Sequence, residues 1–282
     1  MSWGRHHVRP GRTYLAGAPQ LVAHRGGAAL APENTIEAFA SAVDRWGADM
    51  LELDVRLTRD GHVVVIHDAT VDRTTDGSGP VSSMTLAELQ ELDAGHRFVD
   101  PSGAASFRNR GVRIPTLDEV LDACPGVWVN AEAKEAAVAG PLVEVIRRRG
   151  EEHRILVAAE VEGRRTAARG YSGPWGASRS QVALFWLFHR VPALRYVPPV
   201  DIFQLPERYR GFPVLTRGLI RAAHACNIPV HVWTVNDQDT MRRLLSWGVD
   251  GIQSDRPDLL AEVLMEEVGR PAPPALAQPL ET

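Results

Sequence analysis

Acidic residues two apart inside apolar runs are the first feature with chemical content. In MLELDVRL (50–57), Glu52 and Asp54 alternate with Leu51, Leu53 and Val55. In VWVNAEAK (127–134), Asn130, Glu132 and Lys134 alternate with Val129, Ala131 and Ala133. Side chains two apart on a strand share a face, so three carboxylates leave the face opposite the apolar one. Two carboxylates 4 Å apart repel by about 4 kcal/mol at an effective dielectric of 20, so such a cluster requires a cation or a proton. An all-oxygen donor set without histidine or cysteine suits a hard divalent cation, Mg²⁺ or Ca²⁺. The same spacings admit a second reading, a buried ion network that pairs Glu52, Asp54 and Glu132 with Arg25, Arg56 and Lys134.

Two histidines sharpen the choice. His24-Arg25 follows the apolar run Leu21-Val22-Ala23, and His67-Asp68 ends VVVIHD (63–68). If both runs are parallel strands, the histidines lie at equivalent ends, where barrel enzymes place their chemistry. A histidine pair can exchange a proton near neutral pH. A divalent cation together with Arg25 and Lys134 supplies the charge and orientation that a phosphate oxygen requires. The constellation reads as metal-dependent phosphoester chemistry.

The elements that must position these groups follow from the hydrophobic periodicity. Strands are expected at 21–24, 50–57, 63–68, 127–134, 155–159, 174–178, 201–205, 230–235 and 251–254. Helical patterns fall between most of them, at 34–47, 116–123, 138–149, 161–169, 179–189, 214–226 and 237–247. Asn34 and Glu37 read as a capping box for the first helix, and Gly47 as its stop. Gly26-Gly27 reads as a turn that brings backbone close to a ligand. Repeated strand–helix units of this number predict a TIM (β/α)8 barrel. Nine strands are one too many, and only TRDGH (58–62) separates the second from the third, too short for a crossover helix. One unit is therefore irregular, or one strand lies outside the barrel.

Residues 69–113 break the pattern and read as a small insertion after the third strand, covering one end of the barrel. The domain plan is a flexible leader (1–20), a barrel (21–268) and a disordered Pro/Ala-rich tail (269–282). The apolar stretch 182–188 is too short to span a bilayer. It reads as a core helix or as a partly exposed lipid-contacting patch. In VHVWTV, His231 and Trp233 share a face, which favours a polar pocket over dry core.

Bulk properties exclude other classes. The 282 residues carry 31 basic and 35 acidic side chains, a formal net charge of −4. No basic run is long enough to track a phosphate backbone, so nucleic acid is not an expected partner. Two cysteines without a CxxC exclude a disulfide framework and a thiolate metal site. With no secretory h-region and no transmembrane segment, the expected location is cytoplasmic. Nothing in the sequence specifies an oligomeric state.

HRG…APENT, ELDVRLTRDG, VVIHD, NAEAK, VHVWTVN and DGIQSDRP, in this order between about residues 21 and 260, resemble the glycerophosphodiester phosphodiesterase family of the PLC-like phosphodiesterase superfamily. The resemblance implies hydrolysis of a small-molecule glycerophosphodiester to sn-glycerol 3-phosphate and an alcohol, through a cyclic phosphate. It assigns the metal to Glu52, Asp54 and Glu132, and the acid/base pair to His24 and His67. Arg25 and Lys134 would hold the phosphate, Trp233 would line the glycerol side, and Glu33 and Asn34 would support or cap. Two departures bear on substrate preference. Ala158-Ala159-Glu160 stands where members often carry Ser-Phe, with Glu160 read either as a further carboxylate at the site rim or, in preference, as a helix start, and Gln253-Ser254-Asp255 stands where Thr-Asp is usual. The alternatives are a lysophospholipase D-type phosphodiesterase and a catalytically inactive barrel that binds ligands.

Overall fold

The computed structural model describes residues 19–168, 170–190 and 196–277, without the side chains of 165–167. Seven parallel strands form one curled sheet. They are β1 (Gln20–His24), β2 (Met50–Leu57), β4 (Trp128–Ala133), β5 (Ile155–Ala158), β6 (Phe203–Pro206), β9 (Val230–Trp233) and β10 (Gly251–Ser254). Their order is β5-β4-β2-β1-β10-β9-β6. Two parallel bridges, Val157 to Trp175 and Gly176 to Ile202, join the two edges. The chain 174–178 thus supplies the eighth stave, although only two of its residues pair, and the sheet closes into a barrel.

The surplus strand lies outside the barrel. β3 (Val63–Val65) folds back antiparallel on the end of β2, with Val55 opposite Val65 and Leu57 opposite Val63. This corrects the expected position of His67. It stands not at the end of a stave but on the returning arm of a hairpin, which lowers it toward Asp54, whose carbonyl accepts from the Ile66 N–H at 2.9 Å.

The long helices lie outside the barrel: α1 (Ile36–Asp44), α3 (Leu117–Ala123), α4 (Ala136–Arg149), α5 (Glu162–Ala167), α6 (Arg179–Phe188), α7 (Arg217–His224), α8 (Gln238–Trp247) and α9 (Pro257–Val268). Between barrel and helices lies the main core, built from outward strand residues such as Leu51, Leu53, Val129, Ala131, Val230 and Val232. The barrel floor is smaller, with Val22, Met50, Leu156 and Ile202 packed beside Trp128. The cap of α1 is Thr35, whose hydroxyl accepts from Ala38 N–H. Asn34, the expected cap, has φ 59° and is used elsewhere.

The insertion after the hairpin contains α2 (Leu86–Gln90), capped by a Thr85–Glu88 box. Its residues Val71, Val81, Leu89 and Val112 pack with Val64, Ile66 and Ile114, so it is a docked cover rather than an open loop. A short hairpin, β7 (Arg208–Tyr209) with β8 (Phe212–Pro213), follows β6. The expected tail is helical at α10 (Pro274–Ala277), and Arg270 bonds both Asp49 carboxylate oxygens at 2.6 Å. Of the expected leader, 1–18 lies outside the described residues, and Gln20 already belongs to β1. No helix of the described chain is long and apolar enough to cross a membrane.

Candidate active site

Strand register brings the charged residues together. Glu52 pairs with Asn130, and Asp54 with Glu132, so the inward carboxylates of β2 and β4 sit in adjacent rows. His24 pairs with Glu52 across β1 and β2. Glu52, Asp54 and Glu132 each offer an oxygen within 4.8 Å of the others. All three line an open cavity of about 880 Å³ at the C-terminal mouth, together with His24, Arg25, His67, Lys134 and Trp233.

Elements of both sequence-based readings coexist here. Lys134 Nζ lies 2.8 Å from Asp54 Oδ1 and 2.9 Å from Glu132 Oε2, and Arg25 Nε lies 3.2 Å from Asp54 Oδ2. Burial opposes ionisation of Asp54, but the Lys134 and Arg25 charges outweigh it and hold its pKa low. Arg56 is not part of this network; it pairs with Glu135 and donates to the His67 carbonyl. Glu52 differs from the others. Among the described residues it has no lysine or arginine side-chain partner; it accepts from Arg25 N–H at 3.0 Å and lies 3.8 Å from His24 Nε2. Burial, then the neighbouring Asp54 charge, push it up to about 7. A buried carboxyl in that state is relieved by a proton or a cation, and the three-carboxylate donor set fits a divalent ion.

Each histidine is held by an aspartate that the sequence reading left without a role. His24 Nδ1 lies 2.6 Å from Asp255 Oδ1, and Asn236 Nδ2 donates to the other Asp255 oxygen at 2.8 Å. Burial lowers the His24 pKa, but Glu52 and Asp255 overcome it and the net direction is up. His67 Nδ1 lies 2.6 Å from Asp68 Oδ1. Asp68 accepts from Arg73 Nε, which with opposition from burial and help from His67 brings it down to about 2. A carboxylate at Nδ1 fixes the proton there and turns Nε2 outward as the exchangeable site.

A second set of bonds ties the two halves. Arg73, from the insertion, grips Glu33 through two bonds of 2.7 and 2.8 Å, and Glu33 accepts from Arg25 at 3.0 Å. Asn34 binds Asp54 twice, donating from Nδ2 at 3.0 Å and accepting the Asp54 N–H at 3.3 Å. It is a clamp on a candidate metal ligand, not a helix cap. The polar ends of all the strands were the available signal for Asp255, since β1 and β10 pair Ala23 with Ser254, one residue short of each partner. Nothing periodic marks Arg73.

Gly26 and Gly27 form the expected turn, with φ of 84° and 90°, and they also serve packing: a Cβ on Gly26 would stand 2.7 Å from Ala38 Cβ, and one on Gly27 2.8 Å from Pro257 Cγ. Two other expectations change. Trp233 is 38% exposed and faces the cavity, whereas His231 is fully buried below it, beside Gly251. Burial pushes His231 down to about 4, so it is a neutral floor residue and no part of a polar pocket. Glu160 does not begin α5; it lines the cavity and pairs with Arg179.

A closed parallel barrel with its charged groups converging at the C-terminal mouth has the architecture of a TIM-barrel enzyme. The chain belongs to the glycerophosphoryl diester phosphodiesterase family, whose model matches residues 24–171 and 176–259. It is 34% identical over 252 residues to probable glycerophosphodiester phosphodiesterase 2 of Mycobacterium tuberculosis, covering 86% of this chain and 90% of the relative. The glycerophosphodiester phosphodiesterase structure from Agrobacterium tumefaciens superposes with a TM-score of 0.70 at 30% identity, covering 86% of this chain and 99% of that one. An Oleispira antarctica phosphodiesterase, solved with the product sn-glycerol-3-phosphate, gives a TM-score of 0.70 at 26% identity, covering 88% and 97%.

Proposed function

We propose that this enzyme hydrolyses glycerophosphodiesters to sn-glycerol 3-phosphate and an alcohol, using His24 and His67 as the acid/base pair. The observation that carries this reading is the pairing of two aspartate-held histidines with a three-carboxylate cluster in one cavity. Glu52, Asp54 and Glu132 would hold a divalent cation, Mg²⁺ or Ca²⁺, which when bound supplies Lewis-acid polarisation of a phosphoryl oxygen. Arg25 and Lys134 neutralise the phosphodiester and orient it, and Trp233 packs against the glycerol carbons. One histidine takes the proton of the glycerol 2-hydroxyl as its oxygen bonds to phosphorus. The other protonates the departing alcohol oxygen, leaving a cyclic phosphate. In the second step the roles reverse: water is deprotonated, attacks phosphorus, and the 2-oxygen leaves with a proton. Two free cysteines suit a reducing, cytoplasmic setting.

The cavity favours one second reading. Its far wall is apolar, with Val182, Ala183, Leu205 and Val214 among its lining residues, which suits the acyl chain of a lysophospholipid. Assay of glycerophosphocholine beside lysophosphatidylcholine, followed by phosphorus NMR with each metal in turn, separates the two. The expected result is glycerol 3-phosphate from the first substrate, abolished by EDTA. His67→Ala is expected to keep the fold by circular dichroism and lose at least about 100-fold in kcat. Full activity in that variant removes His67 from the mechanism.

A further inference from the structure

The stretch 182–188, read from sequence as either core helix or exposed patch, is mostly surface. In α6 only Gln181 and Phe185 are buried, while Leu184, Trp186 and Leu187 are exposed. Beside it stands the β7–β8 hairpin, whose Phe212 is 75% exposed and whose Tyr209 is also open. Arg210 and Gly211 turn this hairpin with φ of 48° and 85°, the two-residue geometry that matches strand twist. Trp186, Tyr209 and Phe212 all line the cavity mouth, so the apolar rim is continuous with the candidate active site.

Arginines flank this rim. Arg179 and Arg210 lie over the Tyr209 ring at 5.7 and 5.6 Å, and Arg190 over Trp186 at 5.4 Å. Segments 179–190 and 208–217 contain no acidic residue. Among the described residues, Arg190, Arg208 and Arg210 have no carboxylate within ion-pair distance. The nearby acids are committed, Glu160 to Arg179 and Glu207 to Arg243. A local positive edge thus stands on a chain of net charge −4.

We propose that this rim seats the enzyme on a bilayer surface bearing anionic phospholipid headgroups. The exposed apolar groups flank a hairpin turn and lie along the outer side of α6, with guanidinium groups beside them. That order matches an interfacial amphiphile, its apolar groups in the acyl boundary and its cations at the phosphates. A protein partner of helix-in-groove type would instead need a recessed apolar surface.

The test is sedimentation of the full chain with phosphatidylcholine vesicles, with and without phosphatidylglycerol. Binding is expected only to the anionic vesicles and weakens as salt rises. Arg190→Gln with Arg210→Gln is expected to reduce partitioning about 30-fold, roughly fivefold per arginine at ~1 kcal/mol each near an anionic surface. Phe212→Ser is expected to reduce it about tenfold or more, and the arginine pair carries the test if that variant does not fold. Equal binding to both vesicle types, or to neither, overturns the proposal. So does a rim-dependent dimer by light scattering without vesicle binding, which would assign the rim to a second copy.

Discussion

Replacing Asp255 by asparagine tests the positioning of His24 more sharply than removing the histidine. Asp255 accepts from His24 Nδ1 at 2.6 Å through one oxygen and from Asn236 through the other. In Asp255→Asn, the Asn236 amide captures the new carbonyl oxygen, so the new NH₂ faces His24 Nδ1. The imidazole must then carry its proton on Nε2, the atom 3.8 Å from Glu52 that is expected to exchange protons. Recovering the productive tautomer costs about 1–3 kcal/mol for a mispaired hydrogen bond. Loss of the carboxylate removes about 4 kcal/mol of attraction for the imidazolium at 4 Å and an effective dielectric of 20. Together these, about 5–7 kcal/mol, predict a fall in kcat of about 10⁴- to 10⁵-fold at saturating substrate and metal, measured as release of glycerol 3-phosphate. Asp255→Ala also loses the carboxylate's attraction but presents no wrong donor and admits water, so its loss is smaller, about 10³-fold. Nitrogen NMR of the imidazole reports the tautomer directly. An Asp255→Asn enzyme as active as Asp255→Ala refutes the reasoning.

Two stability measurements probe the surroundings. The Glu52 pKa is raised from 4.5 to about 7, so its contribution to stability is full below the ordinary carboxylate range and is lost as pH rises through about 7. Metal-free protein in EDTA is expected to unfold at lower denaturant at pH 8 than at pH 5.5, with His24 acting in the same direction. Glu52→Gln flattens this slope, and identical slopes in the two proteins would dismiss Glu52 as its source. Gly26→Ala combines a left-handed φ, costing about 1–2 kcal/mol, with a Cβ 2.7 Å from Ala38 Cβ that adds about 1–3 kcal/mol of overpacking. A loss of about 2–5 kcal/mol is expected by urea unfolding, and a loss below about 0.5 kcal/mol contradicts that packing role.

The β/α alternation was legible because period-two strands and period-3.6 helices leave distinct apolar patterns. Glu52 and Asp54 could be placed on one face for the same reason. The antiparallel course of β3 was only half legible: TRDGH is too short for a crossover, yet VVVIHD reads like any buried strand. The eighth stave was placed correctly at 174–178, but its two-residue pairing depends on neighbours distant in sequence. α9 was missed despite Pro257 at its first turn and Gly269 at its end, since LLAEVLMEEV directly follows a strand and a polar turn. Tertiary bonds were the least legible part. Arg73 meets Glu33 across 40 residues and Asp255 meets His24 across 231, and no local pattern encodes either meeting.

The unequal stitching of the barrel wall divides it into two mechanical regimes. β2 and β4 share six registered pairs, directly beneath the carboxylates. Beyond β5, two staves from β4, Trp175 and Gly176 hold the wall with one bridge to each neighbour. Local opening costs least where the fewest bonds must break, so thermal fluctuation concentrates at that seam, and α6 begins three residues beyond it. The wall under the carboxylates is the more tightly paired, and the wall beside the apolar rim the less. Ligands of different bulk can therefore be accommodated on one side without loosening the geometry on the other.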